Sequence, residues 1–120
     1  MTHKEFETIV VDSILAMPDY ILSKLDNVDV VVEQWPTIEQ LNTSGSHDYH
    51  SLLGLYEGVP IGERSHYNFI LPDKITIFQQ PLQSLGLSKE GLKKQIRITV
   101  VHEVAHHFGI DDEKLSSIGL

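Results

Sequence analysis

The sequence contains no cysteine, which excludes disulfide bridges and thiolate ligands for a metal. Any metal ion must therefore be held by imidazole and carboxylate groups, the ligand types of catalytic zinc sites. Basic side chains are also scarce, because nine lysines and arginines stand against seventeen acidic residues, for a formal net charge of -8. This balance disfavours electrostatic binding to nucleic acid or to an anionic membrane.

Long apolar runs are absent as well. No stretch approaches the roughly 18 to 20 apolar residues that a membrane-spanning helix needs. Residues 1–7 mix both charge signs and lead into no long apolar run, so they do not resemble a secretory signal, and we expect a cytoplasmic protein. With 120 residues and a hydrophobic fraction of 41%, we expect a single domain over residues 1–120.

The pattern H-E-x-x-H occurs at residues 102–106. His102 and His106 are four residues apart, so on a helix both imidazoles lie on one face and can reach one cation. In this arrangement the glutamate, here Glu103, does not bind the metal but takes a proton from the attacking water. Chance occurrence in so short a chain is rare, so we favour a zinc site over two ordinary surface histidines.

A catalytic zinc site needs a third protein ligand, and the pattern extends to H-E-x-x-H-x-x-G-x-x-D. Gly109 can adopt the left-handed conformation that ends a helix and turns the chain so that Asp112 approaches the metal. Asp111 or a solvent molecule could be the third ligand instead of Asp112. Asp111 is equally well explained as the cap of a short final helix. His107 lies about 100° around the helix from His106, so we interpret it as a packing or supporting residue.

Apolar periodicity and turn residues divide the chain into short elements. They predict helices over 2–17, 18–25 and 88–108, strands over 28–33, 52–58 and 74–79, and a mobile polar loop over 42–50. Gly54 is a possible bulge, and Phe108 is expected on the core side of the last helix. We expect strand 74–79 to pair with an extended substrate, unless it is a central strand with both edges already paired.

A long connection over residues 59–73 carries the remaining candidate residues. Arg64, His66 and Tyr67 are candidates for contacting substrate or stabilising a developing oxyanion, because connections of this length are often functional. The alternative is a surface loop whose Tyr67 and Phe69 are buried in the core.

Five stretches carry a resemblance: the leading helix around residues 6–25, NV at 27–28 before the valine strand, LGLYEGVP at 53–60, LPDKITI at 71–77 and VHEVAHHFGIDD at 101–112. With them the chain resembles, over nearly its whole length, the small bacterial zincin-like metallopeptidase family, a minimal zincin domain. The resemblance implies an α+β fold with a small mixed β-sheet flanked by helices and the H-E-x-x-H helix near the C-terminus. It further implies Zn2+, a peptide or protein substrate, and a site formed by His102, Glu103, His106 and Asp112.

Three functions compete at this stage. The leading hypothesis is a zinc-dependent peptidase with Glu103 as general base. A metal-dependent endoribonuclease is an alternative, because the site is similar to H-x-x-x-H-x-x-G-x-D-H with Asp112 in place of the last histidine; the net charge of -8 disfavours it. A non-catalytic zinc-binding or regulatory module is the third, because 120 residues leave little material to close a cleft.

Overall fold

The computed structural model describes residues 1–59 and 71–119. That part of the chain contains six helices: α1 (His3–Leu15), α2 (Asp19–Lys24), α3 (Ile38–Ser44), α4 (Gln79–Gln83), α5 (Lys89–Phe108) and α6 (Asp112–Ser117). Three strands accompany them: β1 (Val28–Glu33), β2 (Gly54–Glu57) and β3 (Asp73–Phe78). The predicted α+β class with a small mixed sheet is confirmed.

The three strands form one sheet in the order β1-β3-β2. β1 runs parallel to β3, with Val30 opposite Ile75, and β2 runs antiparallel to β3, with Tyr56 opposite the same Ile75. β3 is therefore central, and both of its edges are paired. The expectation that this strand pairs with substrate is wrong, because a strand with two paired edges has no free backbone groups to offer.

One face of the sheet is covered by the long helix. α5 packs against α1 on one side and against β2 and β3 on the other. Its β-branched residues are poor helix formers in isolation, so burial of this face stabilises the helix. The core that results contains these buried residues: Phe6, Ile9, Val10, Met17, Ile21, Tyr56, Ile75, Ile77, Leu82, Leu92, Ile96, Val100, Val101, Val104, Ala105 and Leu115.

Two short helices lie where no helix was predicted. α3 begins with a capping box, in which the Thr37 side chain accepts from the Gln40 backbone and the Gln40 side chain accepts from the Thr37 backbone. Residues 42–44 therefore belong to a helix and not to the predicted loop. α4 contains Pro81 at its third position, where the missing N–H has no helical partner to lose.

Among the helices that the structure describes, none is both long and apolar enough to cross a bilayer.

Candidate active site

Capping residues set both ends of α5, the helix that carries the H-E-x-x-H motif. The Ser88 side chain accepts a hydrogen bond from the Gly91 N–H at 3.1 Å, which caps the first turn. At the other end Gly109 has a φ of 67°, in the left-handed region that ends helices, as predicted. The boundaries leave His102 and His106 one turn apart and exposed on the helix surface. In the part of the chain that the structure describes, neither imidazole makes a hydrogen bond or an ion pair.

Glu103 lies between the helix and the sheet. Its Oε1 accepts a hydrogen bond of 2.9 Å from the backbone N–H of Tyr56 in β2. Within residues 1–59 and 71–119 no donor contacts its second oxygen, Oε2. The carboxylate is thus fixed through one oxygen, while the other is left available to accept a proton.

β2 approaches α5 closely enough to require glycine. A Cβ at Gly54 would lie 2.7 Å from Cγ2 of Thr99, and one at Gly58 would lie 3.1 Å from Cε1 of His107. The predicted bulge at Gly54 is wrong, because pairing with β3 is continuous through it. The small residues instead let the strand lie along the helix and place the Tyr56 N–H within reach of Glu103.

β2 is also the sheet edge beside the motif helix. The Leu53 carbonyl accepts from the Phe78 N–H at 3.0 Å, so the alternate residues Gly54 and Tyr56 turn their backbone groups away from β3. In the described chain no further strand pairs with this edge. Pairing with an extended substrate, which the sequence analysis expected of β3, is therefore possible at β2.

A polar network also ties β2 to β3 and to α5. The Tyr56 hydroxyl donates to Oδ2 of Asp73 at 2.7 Å, and Oδ1 of Asp73 accepts from the Val59 N–H at 2.9 Å. The His107 ring stacks on the Tyr56 ring with centroids 3.9 Å apart, and its Nε2 lies 3.9 Å from Asp73 Oδ2. The interpretation of His107 as a packing residue agrees with this stack.

Phe108 does not lie in the core, contrary to expectation. Its side chain is 41% exposed and packs edge-on against the rings of Tyr56 and His107. The Lys24 ammonium lies 5.4 Å from its ring centroid. Because Phe108 is the last residue of α5, the helix has no further turn to cover the ring.

The two motif histidines line different cavities. His106 borders a cavity of about 450 Å3, together with Glu103, Tyr56 and the hydroxyl-bearing residues at the end of α3. His102 borders a cavity of about 630 Å3 on the side of α1 and α6, together with Asp112. We call these the Glu103 cavity and the His102 cavity. The histidine pair forms the ridge between them.

The two aspartates after the helix have separate positions. Asp111 is the N-cap of α6, and its carboxylate accepts from the Lys114 N–H at 2.8 Å, as the capping interpretation predicts. Asp112 is the exposed first residue of α6. No three histidine, aspartate or glutamate side chains of the described residues form a group that could hold a metal ion. The assignment of His102, His106 and Asp112 as joint ligands stays a prediction.

The chemistry of these donors nevertheless fits zinc. Two exposed imidazoles one helical turn apart are ligands that zinc favours. Asp112 offers an oxygen ligand on the same cavity as His102. The candidates Arg64, His66 and Tyr67 lie outside the described residues.

Sequence reasoning missed the residues that hold Glu103 in place. Tyr56, Asp73 and Gly54 carry no motif of their own, although they fall within the stretches that resemble a known family. Their roles follow from pairing between β2, β3 and α5, which no local signal specifies.

Comparison with known protein families identifies a relationship for most of the chain. A family described as zincin-like metallopeptidase matches residues 25–120, which include the sheet, the motif helix and α6. No curated protein matches the chain significantly.

Proposed function

The chain belongs to the zincin-like metallopeptidase family, and we propose that it is a zinc-dependent peptidase with Glu103 as the general base. The observation that carries the proposal is the placement of Glu103, which is held by the Tyr56 N–H on the wall of a cavity that His106 also lines. In this proposal His102, His106 and Asp112 hold the metal. When bound, zinc acts as a Lewis acid and makes water more acidic.

The remaining chemistry belongs to side chains of this protein. Oε2 of Glu103 takes the proton of the attacking water and later delivers it to the leaving amine. Oε1 stays bonded to the Tyr56 N–H, so the carboxylate keeps its direction through both transfers. The Tyr56, Asp73 and His107 network keeps β2 in place and acts only through that strand.

Substrate binding is proposed at the edge of β2 that faces away from β3. The outward N–H and C=O of Gly54 can pair with an extended peptide, which adds hydrogen bonds without demanding a particular side chain, while the Tyr56 N–H stays on Glu103. Such a peptide would pass over Glu103 and the histidine ridge. A backbone-recognition mode suits peptide bonds better than it suits RNA, and the net charge of -8 also disfavours RNA.

The first test is metal content. Protein purified without chelators is expected to contain about one zinc per chain, by analogy with other catalytic sites of two histidines and a carboxylate. His106→Ala should lose the metal and Asp112→Ala should weaken its binding, whereas His47→Ala, which changes an exposed histidine far along the chain, should retain it.

The second test is turnover. Incubation with a diverse peptide library, read by mass spectrometry, should yield products for the zinc-loaded protein and none for Glu103→Gln. Zinc binding without any cleavage would indicate a binding or regulatory module. Cleavage by Glu103→Gln at the wild-type rate would contradict the role given to Glu103.

A further inference from the structure

The His102 cavity has an apolar floor and a basic end. Its volume is about 630 Å3, and Met17, Val101 and Leu115 contribute buried apolar side chains. Lys94 and Arg97, both from α5, also line it. Because His102 forms one wall, the cavity opens directly onto the proposed metal position.

Lys94 and Arg97 differ from two other basic residues, Lys93 and Lys74, which have carboxylate partners. Lys93, next to them on α5, lies 3.7 Å from Asp12 and 3.9 Å from Glu90, and Lys74 pairs with Glu57 at 3.9 Å. Within the described ranges neither Lys94 nor Arg97 makes an ion pair or a hydrogen bond.

The described lining of the cavity therefore carries a net positive charge in a chain that is strongly acidic overall. Two cationic side chains face one carboxylate among its described lining residues, that of Asp112. Arg97 and Lys94 precede His102 on α5, whereas Asp112 follows the end of that helix. An anionic ligand group with an apolar body matches this arrangement, because a partly buried guanidinium favours a carboxylate partner.

The helix also sets the distance between the basic residues and His102. Arg97 precedes His102 by five residues, which is about 7.5 Å of helix rise at about 1.5 Å per residue. An extended peptide advances about 3.3 Å per residue, so about two residues span that distance. Lys94 lies about 12 Å along the axis from His102 by the same rise.

We propose that the His102 cavity binds the C-terminal end of a peptide, with its free carboxylate on Arg97 and Lys94 and its apolar side chain against Met17, Val101 and Leu115. If the protein is the peptidase proposed above, a peptide bound in this way loses about two residues from its C-terminus. This consequence rests on the proposed function. The binding itself needs only the cavity.

Binding is tested on the full chain by two-dimensional amide NMR. The probes are N-acetyl-leucyl-leucine with a free carboxylate and the same compound as its C-terminal amide. The acid should shift the resonances of Arg97, Val101 and Leu115 and bind about tenfold more tightly than the amide, because the charge-assisted hydrogen bond is lost in the amide. Arg97→Gln should remove the difference, and Lys93→Gln should preserve it.

Several outcomes would overturn the proposal: equal binding of acid and amide, shifts confined to other surfaces, or preferential binding of leucinamide, whose cationic amine would select Asp112. Cleavage of free and amidated peptides then separates the two hypotheses. Cleavage of both at equal rates, with no binding difference, rejects the carboxylate site and retains the peptidase. A binding difference without any cleavage rejects the peptidase and retains the carboxylate site.

Discussion

The backbone N–H of Tyr56 donates a hydrogen bond to Oε1 of Glu103 across 2.9 Å, so the catalytic candidate is tied to the edge strand of the sheet. Glutamine keeps a carbonyl oxygen at this position, whereas alanine leaves the N–H without its acceptor. We expect Glu103→Gln to unfold within about 0.5 kcal/mol of the wild type and Glu103→Ala to lose about 0.5–1.5 kcal/mol. Urea unfolding at equilibrium measures both. Equal stability of the two variants would mean that this hydrogen bond contributes nothing.

The close approach of Gly54 to Thr99 yields a second prediction. Gly54→Ala places a methyl group 2.7 Å from Thr99 Cγ2, so it should destabilise the protein by about 1–3 kcal/mol and push β2 away from α5. Thr99→Ser removes that methyl, and the double variant should recover part of the loss. Recovery is partial because the Thr76 carbonyl lies 3.1 Å from the same position.

A double-mutant cycle in denaturant measures the coupling between Gly54 and Thr99. Additive losses would show that the methyl group of Thr99 is not what excludes a side chain at Gly54.

The Tyr56 and Asp73 pair gives a third prediction. Both residues are buried, and the hydroxyl donates to the carboxylate at 2.7 Å. Tyr56→Phe keeps the ring on which His107 stacks and removes only the hydroxyl, so we expect a loss of about 1.5–3 kcal/mol. Tyr49→Phe is the matched control, because Tyr49 is exposed, and it should change stability by less than about 0.5 kcal/mol. Thermal and urea unfolding compare the two, and equal effects would contradict the prediction.

Zinc should stabilise the folded chain if His102 and His106 are ligands, because a ligand that binds only the native state adds to its stability. At 100 times the dissociation constant the gain is about 2.7 kcal/mol. The unfolding midpoint should therefore rise with added zinc and fall when a chelator is present. His106→Ala should abolish the shift and His47→Ala should keep it, both followed by differential scanning calorimetry. An unchanged shift in His106→Ala would place the metal elsewhere.

Local chemistry explains which parts of the fold the sequence predicted. Ser88, Gly109 and the valine run of β1 each specify a boundary through their own backbone preferences, and the structure agrees at all three. α4 was missed because Pro81 was interpreted as the end of a strand, although proline is also tolerated within the first turn of a helix. α3 was missed because the polar composition outweighed the capping box of Thr37 and Gln40.

Pairing partners could not be predicted in the same way. β3 has the same β-branched, alternating character whether it is central or at an edge, so its own residues do not determine which strands flank it. The same holds for the site: the motif supplied His102, Glu103 and His106, whereas the hydrogen bond from Tyr56 depends on a strand almost fifty positions earlier. Contacts between distant segments depend on the topology of the fold, which the residue spacing within 102–112 does not specify.

Thr76 provides the last prediction, because its hydroxyl is buried in the interior of the sheet. The side chain is 0% exposed, and in the described part of the protein Oγ1 has no hydrogen-bond partner. Valine has the same shape and suits a strand, so Thr76→Val should raise the free energy of unfolding by about 1 kcal/mol. Thr8→Val is the control, since Thr8 is exposed on α1 and its hydroxyl bonds the Lys4 carbonyl at 3.1 Å; it should give no gain. Equilibrium urea unfolding distinguishes them, and a loss of stability in Thr76→Val would show that the hydroxyl is satisfied in solution.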